Sequence, residues 1–329
     1  MDNLTHGLFG LAIGALRRPD DPARFLRRAG SPTDKAVLFG SVLAAELPDL
    51  DILLPAPNEV VHALRAHRGI SHALLFAPVW ALIATFVARL VFRRARPGPV
   101  FAFALLAVLF AHILPDLWTG WGTRALLPFS DTRLSWDVTS VIDPFVTLPL
   151  FAGAVWALAR RDQARKAILI GFAVSCLYLG FRTVSRALLI ERVERQYADA
   201  SRVEVFPALF SITSWRYAAV SPEGYALGTV SVFGSPKEQR RIPHSPDIPV
   251  RLAAIPTVGE ALAWARLPLV STRPAEGGGT EVDVADLRYH LGGEPTLSIV
   301  IDVGPEGDVR SARLERGGSA KELFERWKK

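Results

Sequence analysis

Apolar residues crowd into the chain up to about Ile190 and thin out after it. In that first part they form runs at residues 4–16, 36–54, 73–92, 100–118, 144–159 and 167–181, separated by short polar or basic segments. The runs predict about six membrane-crossing helices, although several fall short of the ~20 residues that a span needs. The first is the shortest and reads as a tilted, half-inserted or protein-buried helix. No basic residue precedes it, while Arg17 and Arg18 follow, which is unlike a secretory signal and favours an N-terminus outside. Residues 182–197 read as an amphipathic helix leaving the membrane. Beyond Arg202 the pattern turns to strands, at 225–233, 267–272, 280–291, 297–303 and 309–315, broken by Gly277-Gly278-Gly279 and Gly304-Pro305. A short helix fits 258–266. The expected fold is an α-helical membrane domain of about six spans, residues 1–198, followed by a small α+β soluble domain, residues 199–329.

Composition agrees with this division: the 329 residues are 50% hydrophobic. The pI near 9.8 could suggest nucleic acid, but the arginines flank apolar runs, so nucleic-acid binding is not expected. The lone Cys176 excludes an intramolecular disulfide. Basic residues also orient the chain. Arg17, Arg18, Arg24, Arg27, Arg28 and Lys35 lie in one loop, Arg93, Arg94 and Arg96 in the next on that side, and Arg160, Arg161, Arg165 and Lys166 in the third. The positive-inside rule makes these loops cytoplasmic. A multi-pass protein of the cell (inner) membrane follows, with its C-terminal domain extracytoplasmic. No internal repeat supports an inverted-repeat transporter.

The chemistry sorts to the other ends of the runs. Asp2 and His6 open the first, Asp49 and Asp51 close the second, His67 and His72 precede the third, and His112 and Asp116 close the fourth. Imidazoles and carboxylates are costly beside hydrocarbon and mark a site there. Without thiolate they form the ligand set of catalytic Zn, Mn or Fe centres. Asp2/His6 and His112/Asp116 are each four apart, one helical turn. Asp49 and Asp51 follow Pro48 and could bridge two metals, though an Asp beside Pro is usually a cap or turn residue. Asp143, before Pro144, is a further candidate ligand or ligand support. Arg68 is placed to clamp an anionic oxygen. Glu46 shares a helix face with Asp49, as general base or as a hydrogen-bonded polar residue. Thr119 and Thr123 could hydrogen-bond ligands or cap loops. His62 lacks a paired carboxylate, and His244 and His290 read as ordinary residues of the soluble part.

Several ordered motifs resemble the YdjM-like family of predicted membrane-bound metal-dependent hydrolases. They are Met1-Asp2-Asn3-Leu4-Thr5-His6, Leu47-Pro48-Asp49-Leu50-Asp51, His67-Arg68-Gly69-Ile70-Ser71-His72 and His112-Ile113-Leu114-Pro115-Asp116. Thr119 to Thr123, Pro128-Phe129-Ser130, Ile142-Asp143-Pro144, Trp215 and Asp286-Leu287-Arg288-Tyr289 extend the likeness. Its pattern is similar to zinc-dependent phospholipase C and P1 nuclease, which implies phosphoester hydrolysis, here on a membrane lipid or lipid-linked substrate. Those enzymes use an N-terminal amine as ligand; this chain shows no cleavage signal, so Asp2 or His6 is expected in that role. The ligand set is then Asp2, His6, Asp49, Asp51, His67, His72, His112, Asp116 and Asp143, holding two or three divalent ions, Zn or alternatively Mn. Water activated by the metals would attack phosphorus, with Arg68 and Glu46 as catalytic residues. A metal-dependent acyl or amide hydrolase is the first alternative, although H-E-x-x-H is absent. A metal carrier or sensor is the second.

Overall fold

The computed structural model describes residues 1–19 and 31–316. Arg24, Arg27 and Arg28 of the first basic loop lie outside them. The chain forms two compact units, one of Met1–Leu53 and Arg68–Val184, the other of Leu54–His67 and Ser185–Lys329.

The first unit is helical. It contains α1 (Asn3–Leu16), α2 (Pro32–Glu46), α3 (Ala77–Val91), α4 (Pro97–Leu117), α5 (Pro144–Ala159) and the start of α6 (Ala164–Gln196). Asp2, Ser31 and Asp143 cap α1, α2 and α5 with their side chains, and Pro at the first turn starts α2, α3, α4 and α5. Its core is rich in small residues, with Ala44, Ala45, Ala81, Ala84, Ala104, Ala107 and Ala111 around Phe9, Ile13, Val108 and Ile113. Small side chains let helix backbones approach where lipid gives little hydrophobic drive. The outer faces are apolar and exposed, with Leu82 and Phe86 on α3, Leu148 and Leu158 on α5, and Leu177 and Val184 on α6.

The expected six spans are not supported. Among the described residues, three helices are long and apolar enough to cross a membrane: 74–91, α4 and α6. The run at 36–54 is helical only to Glu46, because Pro48 and two aspartates turn the chain into a 3₁₀ segment, Leu47–Leu53. α1 and α5 hold 14 and 16 residues. The last apolar run and the amphipathic segment after it are one helix of 33 residues.

α1 lies against α2 along a glycine face. A Cβ on Gly10 would come 2.7 Å from the Ser41 carbonyl oxygen and 2.8 Å from the Ala45 Cβ. Gly10→Leu therefore has to push α1 outward. The expected loss is roughly 1–3 kcal/mol, read as a lower thermal midpoint in detergent, with Gly98→Leu, whose Cβ would meet nothing within 4 Å, as the comparison.

The second unit is sheet-rich. β1 (Arg202–Pro207), β2 (Ser214–Ser221), β3 (Gly224–Ser231) and β4 (Lys237–Pro243) form one antiparallel meander. After α7 (Pro256–Trp264) come β5 (Pro268–Pro274), β6 (Thr280–Asp286), the ribbon β7 (His290–Leu291) with β8 (Glu294–Pro295), β9 (Leu297–Val303) and β10 (Val309–Arg316). The second sheet has the order β10-β9-β6-β5. Leu189 and Val193 of α6, with Tyr197 just after it, pack on Trp215, Tyr217 and Val230 of the first sheet. Phe206, Leu227, Leu267 and Leu287 form a further core. The expected strand 280–291 stops at Asp286, whose carboxylate accepts from the Arg266 and Arg288 amides at 3.0 and 2.9 Å and from Arg288 Nε at 2.7 Å.

His290 is buried in this unit, and burial together with Arg216 pushes it down to about 3. The unfolded chain takes up that proton near pH 6.5 and the folded one does not. Its contribution to stability is therefore complete above about pH 6.5 and falls by ~1.4 kcal/mol per unit as pH drops toward 3. Denaturant unfolding followed by sheet circular dichroism should show this slope between pH 6 and 4, and His290→Phe should flatten it.

Candidate metal centre

Asp49, His72, His112 and Asp116 each offer a ligand atom within 4.8 Å of the others'. His72, His112 and Asp116 are completely buried. Two interrupted helices bring them together. α2 ends before Pro48 and delivers Asp49 on the first 3₁₀ turn. α4 passes through a π-helical turn, Val108–Ile113, and returns to α-helix at Leu114 with Pro115 in its first turn. π-turns concentrate at functional sites, and this one carries His112.

The same two breaks fix the imidazoles. Pro115 has no N–H to give the carbonyl four residues back, and that carbonyl, of Ala111, accepts from His6 Nδ1 at 2.8 Å. The Ala45 carbonyl, among the unsatisfied ones at the end of α2, accepts from His112 Nδ1 at 2.6 Å. A carbonyl only accepts, so Nδ1 carries the proton in both rings and Nε2 keeps its lone pair. His72 follows the same plan by another route: its Nδ1 lies 2.9 Å from Ser71 Oγ and 3.2 Å from Asp51 Oδ2. Asp51 also accepts from Ser71 Oγ at 2.6 Å and from the Arg68 amide at 3.1 Å. Carboxylate or carbonyl on one ring nitrogen and the ligand on the other is the usual arrangement around a bound metal.

The three Nε2 atoms converge. Those of His72 and His112 are 3.0 Å apart, and His6 stacks on His112 with centroids 4.2 Å apart. Asp49 Oδ1 is 3.3 Å from His72 Nε2 and 3.6 Å from His112 Nε2. Asp116 divides its oxygens: Oδ2 is 3.3 Å from His72 Nε2 and 3.8 Å from that of His112, while Oδ1 is 3.3 Å from His6 Nε2 and 2.9 Å from Arg68 Nη2. Lone pairs facing one another across a dry space repel, and a cation between them turns that repulsion into coordination. Burial opposes charge on His72, but hydrogen bonds to Asp116, Asp49 and Asp51 push it up to about 10; the two carboxylates at Nε2 thus favour a positive charge there, which either a proton or a metal ion on that nitrogen supplies.

Arg68 is buried in the left-handed region at φ 58°. Its amide is held by Asp51, its carbonyl accepts from the Arg124 amide at 3.1 Å, and Nη1 donates to Thr119 Oγ1 at 2.9 Å. Its Nε is buried with no hydrogen-bond partner among the described residues. Non-glycine residues kept at positive φ cluster at functional sites.

Two expected ligands are used otherwise. Both oxygens of Asp2 cap α1, accepting from the Thr5 amide at 3.0 Å and Thr5 Oγ1 at 2.7 Å. Asp143 caps α5 through the Phe145 amide at 3.0 Å, and its other oxygen accepts from Thr139 at 2.6 Å and Tyr178 at 3.0 Å. In each, the expected coordination gives way to helix capping. His67 ends the π turn that His62 begins, in the second unit. Glu46 closes α2, where its carboxylate accepts from Asn3 at 3.3 Å. Among the described residues, Thr123 Oγ1 has no hydrogen-bond partner.

Two participants go unmarked by the spacing argument. Ser71 joins Asp51 to His72, and its place between Ile70 and His72 was the available signal. The buried Met1 amine hydrogen-bonds Asp116 Oδ1, an atom that also faces His6 and Arg68.

The YdjM inner membrane protein family matches residues 1–189. The chain belongs to that family. It is 24% identical to the uncharacterized protein YfhP of Bacillus subtilis (strain 168) over 334 residues, spanning 95% of this chain and 94% of that one. It is 36% identical to the inner membrane protein YbcI of Escherichia coli (strain K12) over 110 residues, 32% of this chain and 62% of YbcI. No solved structure matches. The family match covers every residue of the cluster.

Proposed function

We propose that this chain is an integral membrane metal-dependent hydrolase that cleaves a lipid-linked phosphoester. The observation that carries the reading is the arrangement of His6, His72 and His112, each with Nδ1 engaged and Nε2 turned toward Asp49 or Asp116. Asp49, His72, His112 and Asp116 would hold one divalent ion, Zn or Mn by their nitrogen and oxygen donors. His6, whose Nε2 lies 3.3 Å from the second oxygen of Asp116, is a further candidate donor. A bound divalent ion supplies a nucleophilic water at neutral pH and takes up charge on phosphoryl oxygens.

The chain's own groups divide the remaining work. Arg68 holds Asp116 in place and keeps a guanidinium nitrogen free for an anionic oxygen. Asp51 and Ser71 orient His72. Glu46, near the cluster on the last residue of α2, is the proposed proton acceptor. Exposed apolar side chains beside the ligands, Leu50, Ile52, Leu53 and Ile70, favour a lipid substrate over a soluble one. The multi-pass, extracytoplasmic placement of the site is part of the proposal. It is supported by α1, which starts at the cluster and ends where Arg165 donates to its last carbonyls, among the basic residues.

Protein in lipid nanodiscs, loaded with Zn or Mn and offered a panel of phospholipids, should release a phosphorylated headgroup or phosphate. The release should be lost with chelator and with His112→Ala. Metal flux into vesicles without any product would replace the hydrolase by a carrier.

A further inference from the structure

A cavity of about 430 Å³ opens where α5 passes into α6, beyond the far end of α1 from the metal cluster. Arg161, Arg165 and Lys166 line it, and so do the apolar Leu169, Ile170 and Ala173, about one helical turn further along α6. Asp162 also lines it, so three cations face one carboxylate. Arg165 is partly committed, donating to the Ala15 carbonyl at 2.9 Å and the Leu16 carbonyl at 3.3 Å, which ties the cavity wall to α1. Arg161 and Lys166 are exposed and form no ion pair among the described residues. The apolar lining does not end at the cavity. Ile170 is 47% exposed and continues along α6 into Val174 and Leu177, on a helix long and apolar enough to cross a membrane.

We propose that this cavity binds one anionic phospholipid, its phosphate on Arg161 and Lys166 and the start of an acyl chain along Leu169, Ile170 and Ala173. Charge decides between lipid classes: the surplus of cations fits a headgroup of net negative charge and gives no advantage to a zwitterionic one. The apolar wall decides between a lipid and a free anion, because a phosphate alone would leave Leu169, Ile170 and Ala173 without a partner. The volume lies within the range of small-ligand sites. α1 joins the two ends of the first unit, with His6 near its start and the Arg165-bonded carbonyls at its end. A lipid held here therefore braces the helix that carries a ligand of the proposed metal site, without belonging to that site.

Native mass spectrometry of the detergent-released full chain, titrated with phosphatidylglycerol or phosphatidylcholine, tests the proposal. Wild type should retain phosphatidylglycerol in preference to phosphatidylcholine. Arg161→Gln/Lys166→Gln should lower that retention about tenfold, by roughly one factor of a few per charge. Arg93→Gln/Arg94→Gln, which removes two exposed charges elsewhere, should leave retention unchanged. Equal retention in the cavity variant, or an equal loss in both variants, would overturn the proposal. Displacement of phosphatidylglycerol by millimolar inorganic phosphate would reduce the cavity to an anion site. Both double variants should keep the wild-type thermal midpoint, which separates loss of lipid from loss of fold.

Discussion

His112→Ala and Asp116→Ala should each strip the purified protein of its metal, while His244→Ala leaves it in place. His112 gives its only free lone pair to the cluster, since Nδ1 is committed to the Ala45 carbonyl. Asp116 offers one oxygen toward His72 and His112 and the other toward His6. Its removal also leaves the Arg68 guanidinium buried without its carboxylate. His244 is exposed in the second unit and bonds the Ser221 carbonyl at 2.8 Å. Loss of one ligand from a four-donor site typically weakens a metal far more than the 10–100-fold lost with an outer partner. Elemental analysis after gel filtration should thus fall from at least one ion per chain to near background. Full occupancy in both variants would remove the site.

Arg68→Gln should keep the metal and lose turnover. The substitution retains a donor toward Asp116 and Thr119 but removes the positive charge and the unpartnered Nε. If that guanidinium stabilises charge growing on a phosphoryl oxygen, its loss should cost about 10²–10³ in kcat. KM should change little, because the interaction strengthens only in the transition state. Elemental analysis and rate measurements on the same preparation separate the two effects. Undiminished turnover would confine Arg68 to the support of Asp116.

Much of the frame was legible because hydrophobic runs and helix periods leave a strong trace. The helix expected at 144–159 is α5 itself, and the strand expected at 297–303 is β9. The short helix expected at 258–266 is α7, shifted by two residues at each end. β4 could not be found that way: six of its seven residues are exposed, so no alternation marks it. Span counting failed where polarity enters a run, as at Asp49 and Asp51, whose role is chemical rather than membrane-crossing.

The site was legible in its residues more than in its connections. Four-residue spacing correctly brought His112 and Asp116 near each other, although a π turn ends between them. The same spacing misled at Asp2, where Thr5 three residues on turns the carboxylate into a cap. Asp143 before a first-turn proline carried the same capping signature. Nothing in the spacing reveals that the Ala45 and Ala111 carbonyls set two imidazole tautomers. That follows from prolines 48 and 115, each a few residues further along the chain.

X-ray absorption at the metal edge of Zn-loaded protein tests the central claim most directly. The account predicts a first shell of nitrogen and oxygen at about 2.0–2.1 Å, with the outer-shell scattering of at least two imidazoles. Sulfur at about 2.3 Å, which would bring in Cys176, or a shell without imidazole would contradict it.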